Sequence, residues 1–134
     1  MPTYFIDTNI FIYAKGKDHP LKSSCISMIK KIGNQEITAI INTEVIQEIL
    51  YRYQSIKKLP SGISLAKEAV KICSLILPVE ERDLSLAMEI LGSNPRIQTR
   101  DAFHAATMLN HNINEILSTD PHFDLIPNIR RIQP

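Results

Sequence analysis

The sequence predicts an α/β fold built on a central parallel sheet, and three observations carry that prediction. Short runs of β-forming apolar residues alternate along the chain with longer stretches of helical period. Such alternation marks βαβ units, in which each helical segment carries the chain back to begin the next parallel strand. The third observation is chemical. Four acids, Asp7, Glu48, Asp101 and Asp120, each stand where a strand ends or a helix begins. Open α/β sheets bind ligands just beyond the carboxyl ends of their strands.

Thr3-Tyr4-Phe5-Ile6 is read as a buried parallel strand closed by Asp7, and Thr8 to Ala14 as helix. Gly16 and Pro20 punctuate the chain before a second helix, from about Leu21 to Ile32, which Gly33-Asn34 ends. Ile37 to Ile41 is the second strand. Residues 43–57 form an amphipathic helix with Val45, Ile46, Ile49, Leu50, Tyr53 and Ile56 on one stripe. Pro60-Ser61-Gly62 is expected to turn the chain into a helix from Ile63 to Ile76, with Ile63, Ala66, Val70, Cys73 and Leu77 on one face. The proline in Leu77-Pro78-Val79 confines that run to a short edge strand. Residues 80–92 are helical, up to Gly92-Ser93-Asn94-Pro95. Thr99 is the expected N-cap of a helix from Arg100 to about Asn110. Ile116-Leu117-Ser118 is a strand, and Arg130-Arg131-Ile132 a last edge strand.

At 134 residues, 44% hydrophobic and 22% charged, the chain has the length of one domain and enough apolar content for a sizeable core. The formal net charge of +1 gives no global basic field. Residues 1–60 hold eight basic and five acidic side chains, against seven and nine in residues 61–134. The first set, with Lys15, Lys17, Arg52, Lys57 and Lys58, could flank an anionic substrate, although solvated surface is the expected role of most of it. Cys25 and Cys73 lie far apart in apolar helical patterns and are expected to be free thiols of a reducing compartment. No basic-then-apolar pattern opens the chain and no apolar run is long enough to cross a membrane, so a cytoplasmic protein is expected.

Each acid has an ordinary explanation. Asp7 could cap the following helix, Asp101 could favour a helix dipole, Asp120-Pro121 could initiate a turn, and Glu48 could be solvated. The helical wheel argues for more. At about 100° per residue, Glu48 and Asp101 border the apolar stripes of their helices, while Glu44 is read as pointing away. Ala102, Ala105 and Ala106 would let the Asp101 helix lie close to the sheet. Four carboxylates at one sheet edge repel each other unless a divalent cation sits among them. Carboxylate oxygens suit Mg2+, and a pair of such ions promotes phosphodiester hydrolysis. Asn9, Ser118 and Thr119 are expected to orient the carboxylates. His104 and His111 share a face opposite the apolar stripe and are read as solvated; no His-Glu-x-x-His occurs. The four glycines form neither Gly-x-Gly-x-x-Gly nor a Walker loop, so no nucleotide cofactor is expected.

These segments together resemble the PIN-domain family, and within it the VapC-type toxin ribonucleases. Phe5-Ile6-Asp7-Thr8-Asn9-Ile10 resembles the opening strand and first metal-binding aspartate. Thr43 to Glu48 and Leu50 place Glu48 as the helical glutamate. Arg100-Asp101-Ala102-Phe103-His104-Ala105-Ala106-Thr107 resembles the third motif, and Leu117-Ser118-Thr119-Asp120-Pro121-His122-Phe123-Asp124 the last, with Asp120 the acid, Phe123 the usual aromatic and Asp124 a candidate accessory. The resemblance covers nearly the whole chain. It implies a single PIN domain over residues 1–134, folded as a three-layer α/β/α sandwich. It implies catalytic and metal-binding roles for Asp7, Glu48, Asp101 and Asp120, with Mg2+ or Mn2+ as cofactor. It also implies an RNA substrate, a homodimer and a cognate antitoxin protein. The antitoxin is expected to lie as a helix on the hairpin of residues 43–57 and 63–76.

A receiver-like signalling domain is the reading from another class. It needs an acid pair after the first strand and an acceptor aspartate after the central one. Here the first strand delivers Asp7 alone, and Asn42-Thr43 follows Ile41. A housekeeping RNA-processing PIN nuclease and a non-catalytic RNA- or protein-binding PIN domain remain as alternatives.

Overall fold

The computed structural model describes residues 1–134. Its strands are β1 (Thr3–Ile6), β2 (Thr38–Asn42), β3 (Leu75–Leu77), β4 (Glu115–Leu117) and β5 (Arg130–Ile132). Its helices are α1 (Thr8–Lys15), α2 (Lys22–Gly33), α3 (Thr43–Ser55), α4 (Leu59–Ile72), α5 (Glu81–Ser93) and α6 (Thr99–Asn110), with a short 3-10 turn at Pro121–Leu125. All strands are parallel, in the order β3-β2-β1-β4-β5. The first strand is therefore the middle one, and β1 carries Phe5 and Ile6 with no exposure at all. Right-handed crossovers put the helices of the moves from β1 to β2 to β3 on one face. The move back across the sheet to β4 puts α5 and α6 on the other. The packing follows that division: α1 contacts α2, α3 and α4, while α5 pairs with α6. This is the predicted α/β/α arrangement. No helix is long and apolar enough to cross a membrane.

The strand order also fixes where a site can form. The chain leaves β1 toward β2 but returns to β1 on its other edge as β4, with Ile6 opposite Leu117. A crevice opens where neighbouring strands send their connections in opposite directions. Asp7 and Ser118 follow the two strands that border it.

Three elements differ from the sequence expectation. α4 begins at Leu59, because Pro60 stands in its first turn, where a missing N–H costs nothing. The α3–α4 turn is Ile56-Lys57-Lys58, with Lys57 at φ 60, and not Pro60-Ser61-Gly62. The buried stripe of α4 is consequently Gly62, Leu65, Ala66 and Ala69, which leaves Ile63 and Val70 exposed. Gly62 permits the close approach of α3 and α4, since a Cβ there would lie 2.5 Å from Tyr53 Cβ. The edge strand β3 falls at Leu75–Leu77 and ends before Pro78. α6 is preceded by Gln98 as its N-cap, with no side-chain cap, and Thr99 is its first residue. Cys25 is buried and Cys73 half-buried, and both are free.

Candidate active site

The Asp7 backbone N–H donates to the Leu117 carbonyl at 3.1 Å, which extends the pairing of β1 and β4 by one residue. Its carboxylate does not cap α1. Instead the Ser118 hydroxyl donates to Asp7 Oδ2 at 2.7 Å and accepts the Asp120 N–H at 3.0 Å. One buried hydroxyl thus stitches together the acids that follow β1 and β4. Asp120 opens the 3-10 turn, and its Oδ1 accepts from the His122 N–H at 2.9 Å and pairs with His122 Nδ1 at 2.8 Å.

The other half of the site comes from α3 and α6. Asn42 ends β2 and caps α3, accepting from the Val45 N–H at 3.1 Å. Its amide also donates to Thr107 Oγ1 at 3.0 Å, which ties the start of α3 to α6. Glu48 lies one turn into α3, and both its oxygens are engaged. Thr8 Oγ1 donates to Oε1 at 2.8 Å, and His104 Nε2 lies 3.4 Å from the same atom. Arg100 Nε is 3.5 Å from Oε2, and an Arg52 guanidinium nitrogen 4.0 Å from it. Arg52 also donates to Asn9 Oδ1 at 2.8 Å. Both arginines are half-buried at the rim, while His104 has no exposure.

Burial pushes the Asp101 carboxyl up to about 8, and the charges of Asp7, Asp120 and Glu48 add to the rise. Its Oδ2 is buried without a hydrogen-bond partner. Burial also raises Asp7, against the opposing pull of His104 and Ser118. For Glu48 burial acts upward too, but His104, Thr8 and Arg100 outweigh it and hold the carboxyl below the usual glutamate range. Asp120 is likewise lowered, because the His122 N–H and ring outweigh desolvation. The structure therefore gathers the four acids into one electrostatic unit in which Asp7 and Asp101 are both harder to ionise than an ordinary aspartate.

No three His, Cys, Asp or Glu side chains converge tightly enough in this arrangement to form a ready metal cage. The cause is visible: Asp7 faces Ser118, Glu48 faces Thr8 and His104, and Asp120 faces His122. The donor chemistry still fits a hard divalent cation. Every donor is an anionic oxygen, and one buried oxygen of Asp101 lacks any partner.

Of the three polar neighbours expected around the acids, Ser118 bonds Asp7 directly and Asn9 reaches Glu48 only through Arg52. No acid accepts from the half-buried Thr119. Asp124 is exposed and forms a two-pronged pair with Arg131, both contacts at 3.1 Å, that ties the 3-10 turn to β5. Two wheel readings are corrected. His104 is not solvated but fully buried against Glu48, because α6 is packed on nearly all sides. Glu44 does not point away, since residues four apart share a helix face. Burial and then the Glu48 charge raise its carboxyl, against the pull of His104. Thr8, Asn42, Arg52, Arg100 and His104 were missed as members of the site. The polar spacing Asp101, His104, Thr107 on one side of α6 was the available signal.

Comparison with known proteins agrees with this fold. The PIN domain family profile matches residues 4–129. The ribonuclease VapC13 of Mycobacterium tuberculosis is 30% identical over 127 residues, covering 95% of this chain and 97% of the relative. The sarcin-ricin loop cleaving toxin VapC20 of M. tuberculosis superposes with a TM-score of 0.75 at 13% identity, covering 91% of this chain and 93% of its own. VapBC2 from Rickettsia felis, solved with a promoter DNA fragment, gives a TM-score of 0.73 at 18% identity, with 97% of each chain covered. With the profile over nearly its full length and a VapC ribonuclease at this identity, the chain belongs to the PIN-domain family, among the VapC ribonucleases.

Proposed function

We propose that the whole chain, residues 1–134, acts as one PIN domain and is a metal-dependent endoribonuclease, the toxin of a cytoplasmic toxin–antitoxin pair. The observation that carries the reading is Asp101, a buried acid with an orphaned oxygen among three other carboxylates. A divalent cation would offset the repulsion that a proton on Asp101 otherwise relieves, and the family relationship supplies the RNA. Asp7, Asp101, Asp120 and Glu48 are the catalytic residues and would hold Mg2+ or Mn2+. Such an ion, when bound, activates water and stabilises the leaving oxygen of a phosphodiester. Ser118 fixes the relative positions of Asp7 and Asp120. Arg52 and Arg100, charged and half-buried at the rim, are placed to receive RNA phosphates, for which arginine forks are suited.

A groove of about 860 Å³ runs from Arg52 between the end of α1 and the α3–α4 hairpin. Ile12, Tyr53, Ile56 and Leu65 line it, with Lys15, Lys17 and Lys58 at its rim. We assign the antitoxin to this groove, as a segment carrying apolar and acidic side chains. The expected face does not form as one stripe, because Ala66 and Leu77 are buried while Ile63 and Val70 are exposed. Leu84 and Met88, exposed one turn apart on α5, are an apolar pair that a second copy would cover in a homodimer.

The test is single-turnover cleavage of structured RNAs with Mn2+, Mg2+ or EDTA. Cleavage that requires either cation supports the reading; none with either, or undiminished cleavage in EDTA, overturns it. Growth arrest on expression, relieved by a neighbouring small reading frame, separates a toxin from a housekeeping nuclease.

A further inference from the structure

We propose that His104 is a positioning residue, which together with Thr8 fixes the Glu48 carboxylate for work at the cation site. The inference rests on the metal-dependent reading above and adds a role for a side chain that touches neither RNA nor ion.

His104 has no exposure and its ring is tilted against Phe5, with centroids 5.4 Å apart. Nε2 lies 3.4 Å from Glu48 Oε1, while Nδ1 is buried without a partner. An unpaired polar atom in a dry core costs stability. A phenylalanine would fill the same space beside Phe5 without that cost, so packing alone does not explain an imidazole here. The geometry assigns the proton to Nε2, because that tautomer gives Glu48 a donor and leaves only a lone pair unpaired.

Three elements meet on one oxygen atom: α1 through Thr8, α6 through His104 and α3 through Glu48 itself. The two donors on Oε1 are buried and have nowhere to go. The two arginines near Oε2 are half-buried at longer range, and Arg52 is held by Asn9 as well. Glu48 is thus pinned by one oxygen and presents the other at the rim. Partners that orient a ligating carboxylate typically contribute 10–100-fold to metal affinity or activity.

The experiment compares the parent with His104→Phe, His104→Gln and Thr8→Val. Three quantities are measured: Mn2+ affinity by calorimetry without RNA, kcat and KM for RNA cleavage, and melting temperature in EDTA. His104→Phe should bind Mn2+ more weakly by about 10–100-fold and lose kcat in proportion. Its KM should barely change, and in EDTA it should melt somewhat below the parent, because Glu48 loses a buried donor, while staying folded at the assay temperature. His104→Gln keeps an N–H within reach of Glu48 and should recover most of the affinity. Thr8→Val removes the other donor without touching the ring and should weaken binding by a similar factor, so the conclusion does not hang on one variant folding. Unchanged Mn2+ affinity in His104→Phe, or a loss that only tracks a lowered melting temperature, or no recovery in His104→Gln, overturns the inference. A parent that binds no Mn2+ overturns the metal reading itself, a failure visible before any variant is made.

Discussion

Asp101→Asn should make the metal-free protein more stable at neutral and mildly alkaline pH while destroying its activity. Asp101 is held up to about 8 in the folded chain against 3.8 in the unfolded one. Between those values the folded state binds the extra proton, so stability falls as pH rises through the window. That is the reverse of the usual aspartate, whose lowered pKa makes stability fall with acid. A pKa of about 8 in place of 3.8 corresponds to about 6 kcal/mol. This is a ceiling, because neighbouring side chains and water rearrange around the ionised group. A third of it, about 2 kcal/mol, moves the melting temperature of a domain this size by roughly 5–12 °C. Glu48 and Asp120 act in the opposite direction, but their lowered pKa values confine their effect to pH below about 4.5. The assay is thermal melting in EDTA from pH 5 to pH 8. The parent should lose stability across the range and Asp101→Asn much less, the remainder coming from Asp7, which is raised in the same sense. Excess Mn2+ should rescue the parent at pH 8, by about 2.7 kcal/mol at a hundredfold excess over Kd, and the variant hardly at all. Parallel pH slopes for parent and variant would refute the argument, since they would mean that Asp101 ionises at no cost.

Asp7→Asn, Asp120→Asn and Glu48→Gln should each lower single-turnover RNA cleavage by orders of magnitude with circular dichroism unchanged, while Glu89→Gln, exposed on α5, should cleave normally. Glu44→Gln should fall between them, because Glu44 stands in the field of Glu48 and Arg100. Asn42→Ala loses both the α3 cap and the Thr107 bond and should cost about 2–3 kcal/mol by urea unfolding; a loss under half a kcal/mol would deny it that double role. Gly62→Ala should destabilise by about 1–3 kcal/mol, despite alanine's better helix propensity, because its Cβ would meet Tyr53 Cβ; a more stable variant would show that α4 can shift.

Four of the five strands and the positions of the acids along the elements were legible because each depends on short, local signals, whereas β3 was read two residues late, as Leu77-Pro78-Val79. Thr3–Ile6 and residues 38–41 are uniformly apolar or β-forming, and a buried parallel strand leaves little else to read. Asp7, Asp101 and Asp120 sit at the junctions where such strands and helices meet. The acids' surroundings were harder. A wheel drawn for a helix with one apolar face places His104 in solvent. α6 instead buries Ala102, Ala105 and Ala106 in the core while His104 and Thr107 meet Glu48 and Asn42. A polar side chain in such a place finds its partner more than fifty residues away, and no local period records that. The α3–α4 turn was misplaced for a simpler reason. Pro60 was weighed as a breaker when a proline in a first helical turn is equally a starter.

The place of β1 in the middle of the sheet has a consequence for how the protein is made. Chains grow from the N-terminus, and earlier segments begin to organise before later ones exist. β1 can pair with β2 early, but its other edge stays bare until Glu115–Leu117 emerges. The same late segment brings the Ser118 hydroxyl and Asp120. On the proposed reading, a chain cut short before Asp120 holds at most three of the four acids, beside an unfinished sheet. Assembly of the proposed site therefore waits on the same segment that closes the sheet against β1, and a fragment that stops short of β4 has neither.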